Sequence, residues 1–266
     1  MNIDDVADIV GRIRERQPLV HNITNFVVMN TTANALLSVG ASPAMVHSTD
    51  EVEEFVRLAS ALVVNIGTLS ADWAAAMKLA AGEANRRNIP WALDPVGIGA
   101  TRYRTQLAAD LVSLKPTTIR GNGSEIIALS GSVDARPRGV DSQHGSEAAL
   151  DAARALAAQT GHVVAITGVS DYVTDGERLA RIDGGHALMP KVTGLGCAAT
   201  ALIGGFLAVE PDPFRATTAA LATFAAAGKH ASDHVDGPGT LPPVLLDALH
   251  RLDRTMLAAN ASISVE

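Results

Sequence analysis

Cysteine is almost missing from this chain. Cys197 is the only one in 266 residues, so no internal disulfide can form and a zinc centre built on several cysteines is excluded. Aromatic residues make up 3% of the sequence, which leaves the core to Ala, Val, Leu and Ile. No run of Lys or Arg is long enough to follow a phosphate backbone, and the net charge is −7, which argues against nucleic-acid binding. The opening stretch "MNIDDVADIVGRIRERQ" is acidic and then amphipathic, unlike the basic and apolar start of a secretory signal. Together with the lone thiol, this fits a reducing cytoplasm. One uncharged run, 192–209, reaches eighteen residues, the lower bound for a membrane span. Its first residues form a glycine-bearing turn, so the remainder reads as a buried core helix and not as a membrane anchor.

What is present is a 47% hydrophobic, 18% charged composition, ample for a sizeable core. Short apolar runs alternate with helical patterns. Strands are expected at "PAMV" (43–46), "ALVVNIG" (61–67), "PWALDP" (90–95), "TTIRGN" (117–122) and "HVVAITG" (162–168). Helices are expected at 25–40, 49–60, 70–88 and 104–115, the second and third opening on Thr49 and Ser70 as caps. This order predicts an α/β fold in one domain spanning 1–266, with a central, mainly parallel sheet flanked by helices on both faces. Beyond Gly205 the pattern reads as helices only. The polar interval 130–146 reads as a surface excursion and not as a domain boundary.

Four segments carry groups suited to chemistry. In "KVTGLGCAATALIGG", Gly194 and Gly196 precede an apolar helix whose free N–H groups would suit an anion. A close-packed turn reads equally well from that spacing. In "IRGNGSEI", Asn122 and Glu125 have capping-box spacing, while Glu125 could instead hold Mg²⁺ through water beside a nucleotide. Arg120 suits either a phosphate oxygen or a surface ion pair. In "ALDPVGIGATRYR", Asp94 closes a strand at the sheet edge where ligands gather, and a plain turn aspartate is the other reading. The segment 18–45 offers amides and hydroxyls, plus His21, which reads as structural or catalytic.

In content and order, "HNITNFVVMNTTANALL", "ALDPVGIGATRYR", "IRGNGSEI", "AITG" and "VTGLGC" resemble the hydroxyethylthiazole kinases of the ribokinase-like superfamily. The resemblance runs from about residue 10 to 260. It implies ATP- and Mg²⁺-dependent phosphorylation of the hydroxyethyl arm of a thiazole precursor of thiamine. It also implies a homotrimer with active sites between subunits. Residue by residue, it assigns the thiazole alcohol to Met45 and Gly194, with Asn25 supplied by a neighbouring subunit. Arg120 and Thr167 fall at its ATP-phosphate positions, and Asp94 and Glu125 at its Mg²⁺-associated carboxylates. Its anion hole corresponds to the turn containing Gly194, Leu195, Gly196 and Cys197.

Cys197 stands where most of the superfamily carries a catalytic Asp, a departure that thiazole kinases are known to show. A helix N-terminus lowers a thiol pKa from its usual value near ~8.5, so the expectation is a proton acceptor with some thiolate character. Inert packing is the alternative. Competing readings are a hydroxymethylpyrimidine kinase, a nucleotide-repair dehydratase and a non-catalytic nucleotide sensor. The thiol at position 197 and "HNITNF" speak against the first two, and the full set of polar groups against the third.

Overall fold

The computed structural model describes residues 1–133 and 145–266. Its elements run α1 (Ile3–Arg16), β1 (Leu19–Ile23), α2 (Met29–Val39), β2 (Ser42–Met45), α3 (Val52–Val56), β3 (Ala61–Asn65), α4 (Ala71–Arg87), β4 (Trp91–Asp94) and α5 (Arg102–Ser113). They continue with β5 (Thr118–Asn122), α6 (Gly123–Val133), α7 (Gly145–Thr160), β6 (Val163–Thr167), β7 (Ser170–Thr174) and β8 (Leu179–Asp183). The last are α8 (Leu195–Leu207), α9 (Pro213–Ser232), α10 (Leu241–Arg251), α11 (Arg254–Asn260) and β9 (Ser262–Val265).

A nine-stranded sheet in the order β2-β1-β3-β4-β5-β6-β7-β8-β9 forms the middle layer. From β2 to β6 every neighbour is parallel, and from β6 to β9 every neighbour is antiparallel. Side chains alternate between faces along each strand. Val63 of β3 joins a core with Leu202, Ile203, Phe206 and Phe214 from α8 and α9, whereas Leu62 and Val64 join Trp73, Met77 and Leu111 on the other face. The sheet is therefore buried on both sides, as expected of parallel strands.

The uncharged run 192–209 forms α8, which is buried along nearly its whole length. Buried all round, it needs no polar face. No described helix is long and apolar enough to cross a membrane. Gly204 lets α8 lie directly on β3, because a Cβ there would collide with Val63.

The five strands expected from apolar runs are present. Four more are added. β1 was hidden by His21 and Asn22, polar but fully buried and bonded to the carbonyls of Val46 and Val20. β7 and β8 mix polar and apolar residues, and β9 corrects the expectation of helices only beyond Gly205. The Ser70 cap is correct, its hydroxyl accepting from the Trp73 N–H at 3.2 Å. The Thr49 cap is not. α3 starts after Glu51 without a side-chain cap, and it is Ser48 that accepts from the Asp50 N–H. Of the interval 130–146, Ser130 to Val133 belong to α6 and α7 begins at Gly145. The rest of that expected excursion lies outside the described residues.

Candidate active site

Parallel strands deliver their final residues to one edge. Here β2, β3, β4, β5 and β6 end in Met45, Asn65, Asp94, Asn122 and Thr167. The register sets Asn65 beside Asp94 and Asn122 beside Thr167. The N-terminus of α8 belongs to the same edge, because Thr200 bonds Asp94 and Cys197 bonds Asn25, which in turn bonds Asn65.

Gly194 precedes α8 with φ +85° and no side-chain cap. Its left-handed backbone favours glycine, and a Cβ would come within 2.7 Å of Val28 Cγ1. A Cβ on Gly196 would meet the Arg120 guanidinium at 3.0 Å. The turn is thus close-packed, and what packs on it is the cation best suited to share an anion with its free N–H groups. The two readings of the Gly-x-Gly spacing are compatible.

Asp94 is 0% exposed. Its Oδ2 accepts from Asn65 Nδ2 at 2.9 Å and from the Thr200 hydroxyl at 2.8 Å, and lies 3.7 Å from Arg120 Nη1. Among the described residues its Oδ1 has no partner, nor has Arg120 Nε. Burial pushes the Asp94 carboxyl up to about 6, with the nearby Glu125 adding to it and Arg120, Thr200 and Asn65 opposing. Arg120 Nη2 also donates to the Thr167 hydroxyl.

Glu125 completes the capping box. Its Oε2 accepts from the Asn122 N–H and Asn122 Oδ1 accepts from the Glu125 N–H, each at 2.9 Å. Its Oε1 accepts from the Gly97 N–H at 2.9 Å, which ties the loop after β4 to the start of α6. That loop is held from behind by Arg104, which donates to the carbonyls of Ile66, Val96 and Gly67. Among the described residues no group of three His, Cys, Asp or Glu could hold a metal. The unpartnered Asp94 Oδ1 and the spare lone pairs of Glu125 do suit a hard cation that keeps most of its water, as Mg²⁺ does.

Asn25 requires a correction. It is buried in this chain's own cluster, donating from Nδ2 to Asn65 Oδ1 at 2.9 Å and to Cys197 Sγ at 3.5 Å. The thiol expectation also reverses. Burial pushes Cys197 up to about 11, and the Asp94 charge adds to this. The neighbouring amides of Asn65 and Asn25 and the charge of Arg120 pull it back only in part. The helix N-terminus is a modest local effect, while desolvation and a neighbouring carboxylate act against the anion more strongly.

Met45 ends the edge strand, opposite Asn22 and separated from β3 by β1. Beside it His47 and Phe26 both pack on Trp73, with ring centres 4.6 and 4.1 Å away. His21 is structural. Its Nε2 pairs with the Val46 carbonyl at 2.7 Å, and burial lowers it to about 4, so it stays neutral.

On the other side of Arg120 a cavity of about 700 Å³ opens between β6–β8 and α8–α9. Arg120, Asn122 and Thr167 line one part of it, and Ile182, Met189, Val192 and Phe224 supply an apolar part. Asp171 also faces it, with its carboxyl pushed up to about 6, by burial first. Neither Asp171, Asn65 nor Thr200 was singled out from sequence. Asn65 did leave a signal, a lone amide closing the apolar run "ALVVNIG". Thr200 and Asp171 left none.

Comparison with known proteins shows the family and the fold. The model of the hydroxyethylthiazole kinase family matches residues 10–255. A hydroxyethylthiazole kinase of Granulibacter bethesdensis is 57% identical over 245 residues, covering 92% of this chain and 89% of that one. Another, from Rhizobium etli, is 55% identical over 254 residues, covering 95% and 98%. The solved structure of a hydroxyethylthiazole kinase protein from Pyrococcus horikoshii superposes with a TM-score of 0.92 at 42% identity, covering 99% of each chain. A pyridoxal kinase from Staphylococcus aureus, solved with AMP-PCP and pyridoxal, shares 17% identity over 94% of this chain and 98% of that one. Its TM-score of 0.66 shows a shared fold alone.

Proposed function

The chain belongs to the hydroxyethylthiazole kinase family, and from that premise we propose how its residues carry out the family's reaction, the ATP-dependent phosphorylation of 4-methyl-5-(2-hydroxyethyl)thiazole in thiamine salvage. One observation carries the reading. A guanidinium, a glycine turn with free N–H groups and a buried carboxylate meet beside a cavity large enough for a nucleotide.

Phosphoryl transfer is mostly positioning and charge stabilisation. Arg120 grips phosphate oxygens through its planar fork, and Thr167 holds that fork in place. The N–H groups of Leu195, Gly196 and Cys197 face the charge that grows on the transferred group. The apolar part of the cavity takes the base. Asp94 and Glu125 would hold Mg²⁺ through water, and the ion would neutralise phosphate charge. Met45 and Gly194 line the thiazole side, with Asn25 between that side and Cys197. The Cys197 sulfur takes the proton of the substrate hydroxyl. At neutral pH its thiolate fraction is on the order of 10⁻⁴, given a thiol near 11. A late proton transfer suits so weakly populated a base.

The protein acts in the cytoplasm as a homotrimer with sites between subunits. Phe26 and Val27, 66% and 62% exposed immediately after Asn25, are the apolar surface that supports this assembly. The deciding assay measures ADP release from MgATP with the thiazole alcohol, with a hydroxymethylpyrimidine, and with neither. Turnover is expected on the thiazole alone. Equal rates on both substrates would overturn the thiazole assignment, and no turnover on either would leave a nucleotide-binding module.

A further inference from the structure

We infer that Asn65 is a positioning residue for the transfer step, orienting the Asn25 amide toward the Cys197 sulfur while holding Asp94 in register. The inference rests on the kinase reading above and assigns work to a residue outside its machinery. Two fixed groups decide which way each amide points. The Gly67 N–H can only donate, and it lies 3.0 Å from Asn65 Oδ1. The Asp94 carboxylate can only accept when ionised, and its Oδ2 lies 2.9 Å from Asn65 Nδ2. Asn65 therefore presents oxygen toward Asn25, and Asn25 must answer with its nitrogen. That same nitrogen lies 3.5 Å from Cys197 Sγ, so the sulfur receives a donor.

The chain of bonds has little room to rearrange. Asn65 and Asn25 are 1% and 5% exposed. A Cβ on Gly67 would sit 2.5 to 2.7 Å from Asn25, so Gly67 is glycine to let that side chain lie flat against the backbone. Thr200 closes the far end by donating to Asp94. A donor aimed at Sγ favours the thiolate, the form of the sulfur that can take the substrate proton. A carboxylate held at the other end keeps its place relative to the reacting oxygen.

The test is a double-mutant cycle in the intact protein. Asn65→Ser should lower kcat on the order of 10²-fold, the scale of a misplaced reacting group, with KM for ATP nearly constant. In a Cys197→Ala background the same change should cost clearly less, because the sulfur it serves is gone and only its hold on Asp94 remains. Equal losses in both backgrounds would mean that Asn65 merely supports the fold, and the inference would fall. If Asn65→Ser does not fold, Asn25→Ala probes the same relay. The chain's one cysteine makes iodoacetamide alkylation a reading of Cys197 alone. The pH midpoint of its rate should rise in Asn25→Ala, and an unmoved midpoint overturns the relay. Alkylation needs no substrate. A shifted midpoint in a protein inactive on the thiazole alcohol would therefore sink the kinase reading while leaving the relay standing.

Discussion

At the ends of β3 and β4 the polar groups close on one another, whereas beyond Arg120 they face an open cavity. In the first region Asn25, Asn65, Asp94 and Thr200 are buried and bonded mainly among themselves. In the second, Asn122, Thr167 and Asp171 line about 700 Å³ of space together with apolar side chains. A closed cluster has no water to replace a lost partner, so each member is held tightly and each loss is expensive. An open cavity tolerates change, since solvent fills in for a missing side chain until a nucleotide enters. The contrast suits the chemistry. Reacting atoms need fixed geometry, while a base and ribose need mainly room and a few contacts.

Arg120 touches both regions, so its removal is the most damaging way to break the comparison. Arg120→Ala should lower kcat/KM for ATP on the order of 10²–10³-fold, the scale seen when one donor to developing charge is lost. It also removes the cation that holds the Asp94 carboxyl down, so that carboxyl should titrate higher still. Steady-state kinetics across ATP concentration would read the first effect. A loss below tenfold would mean that the two regions act independently.

The next effect sharpens the closed side. A base works only when deprotonated, and Cys197 is raised to about 11, so its active fraction grows about tenfold per pH unit well below that value. If Cys197 takes the substrate proton, kcat should climb with pH from 7 toward 9 wherever chemistry limits turnover. Cys197→Asp should retain substantial activity and lose that climb, because a carboxylate is already ionised there even with a raised pKa. Cys197→Ser should fall toward the 10²–10⁴-fold range typical of a lost general base. A flat native profile with Ser equal to Cys in kcat would return the thiol to packing.

The smallest expected effect lies at the border between the regions. Glu125 accepts one backbone N–H on each oxygen, from Asn122 and from Gly97. Glutamine has a single oxygen, so Glu125→Gln strands one donor and should cost about 1 kcal/mol of stability. Losing the charge should raise the Mg²⁺ concentration needed for half-maximal activity. A melting scan and a Mg²⁺ titration separate the two roles. A lower melting temperature with unchanged Mg²⁺ dependence would leave Glu125 as a cap and loop anchor only.

Much of this was legible before any coordinates. The apolar runs containing Val63, Leu93, Ile119 and Val164 announced parallel strands, because strands buried on both faces have no polar side to show. Asp94 and Arg120 were legible as groups in or at the ends of such runs, Thr167 only through the family resemblance, and Asn122 with Glu125 as a cap by spacing alone. β1 was obscured because buried His21 and Asn22 look like surface residues until the Val46 and Val20 carbonyls are seen to satisfy them. β7 to β9 were obscured because strands of four or five residues that mix polar with apolar side chains carry only a weak pattern.

What the sequence determined by itself was local: turns that only glycine permits, caps set by three-residue spacing, strands written in continuous apolar side chains, and motifs specific enough to name a family. Tertiary structure alone decided what lies against what. It brought Asn25 from beyond the end of β1 onto the Cys197 sulfur and Asn65 from the end of β3 onto Asn25. It also turned the Cys197 thiol from an expected lowered pKa to a raised one. The reason is physical. A helix N-terminus acts on its own first turn and can be read along the chain, but desolvation and the charge of Asp94 act through space, between residues that only folding makes neighbours.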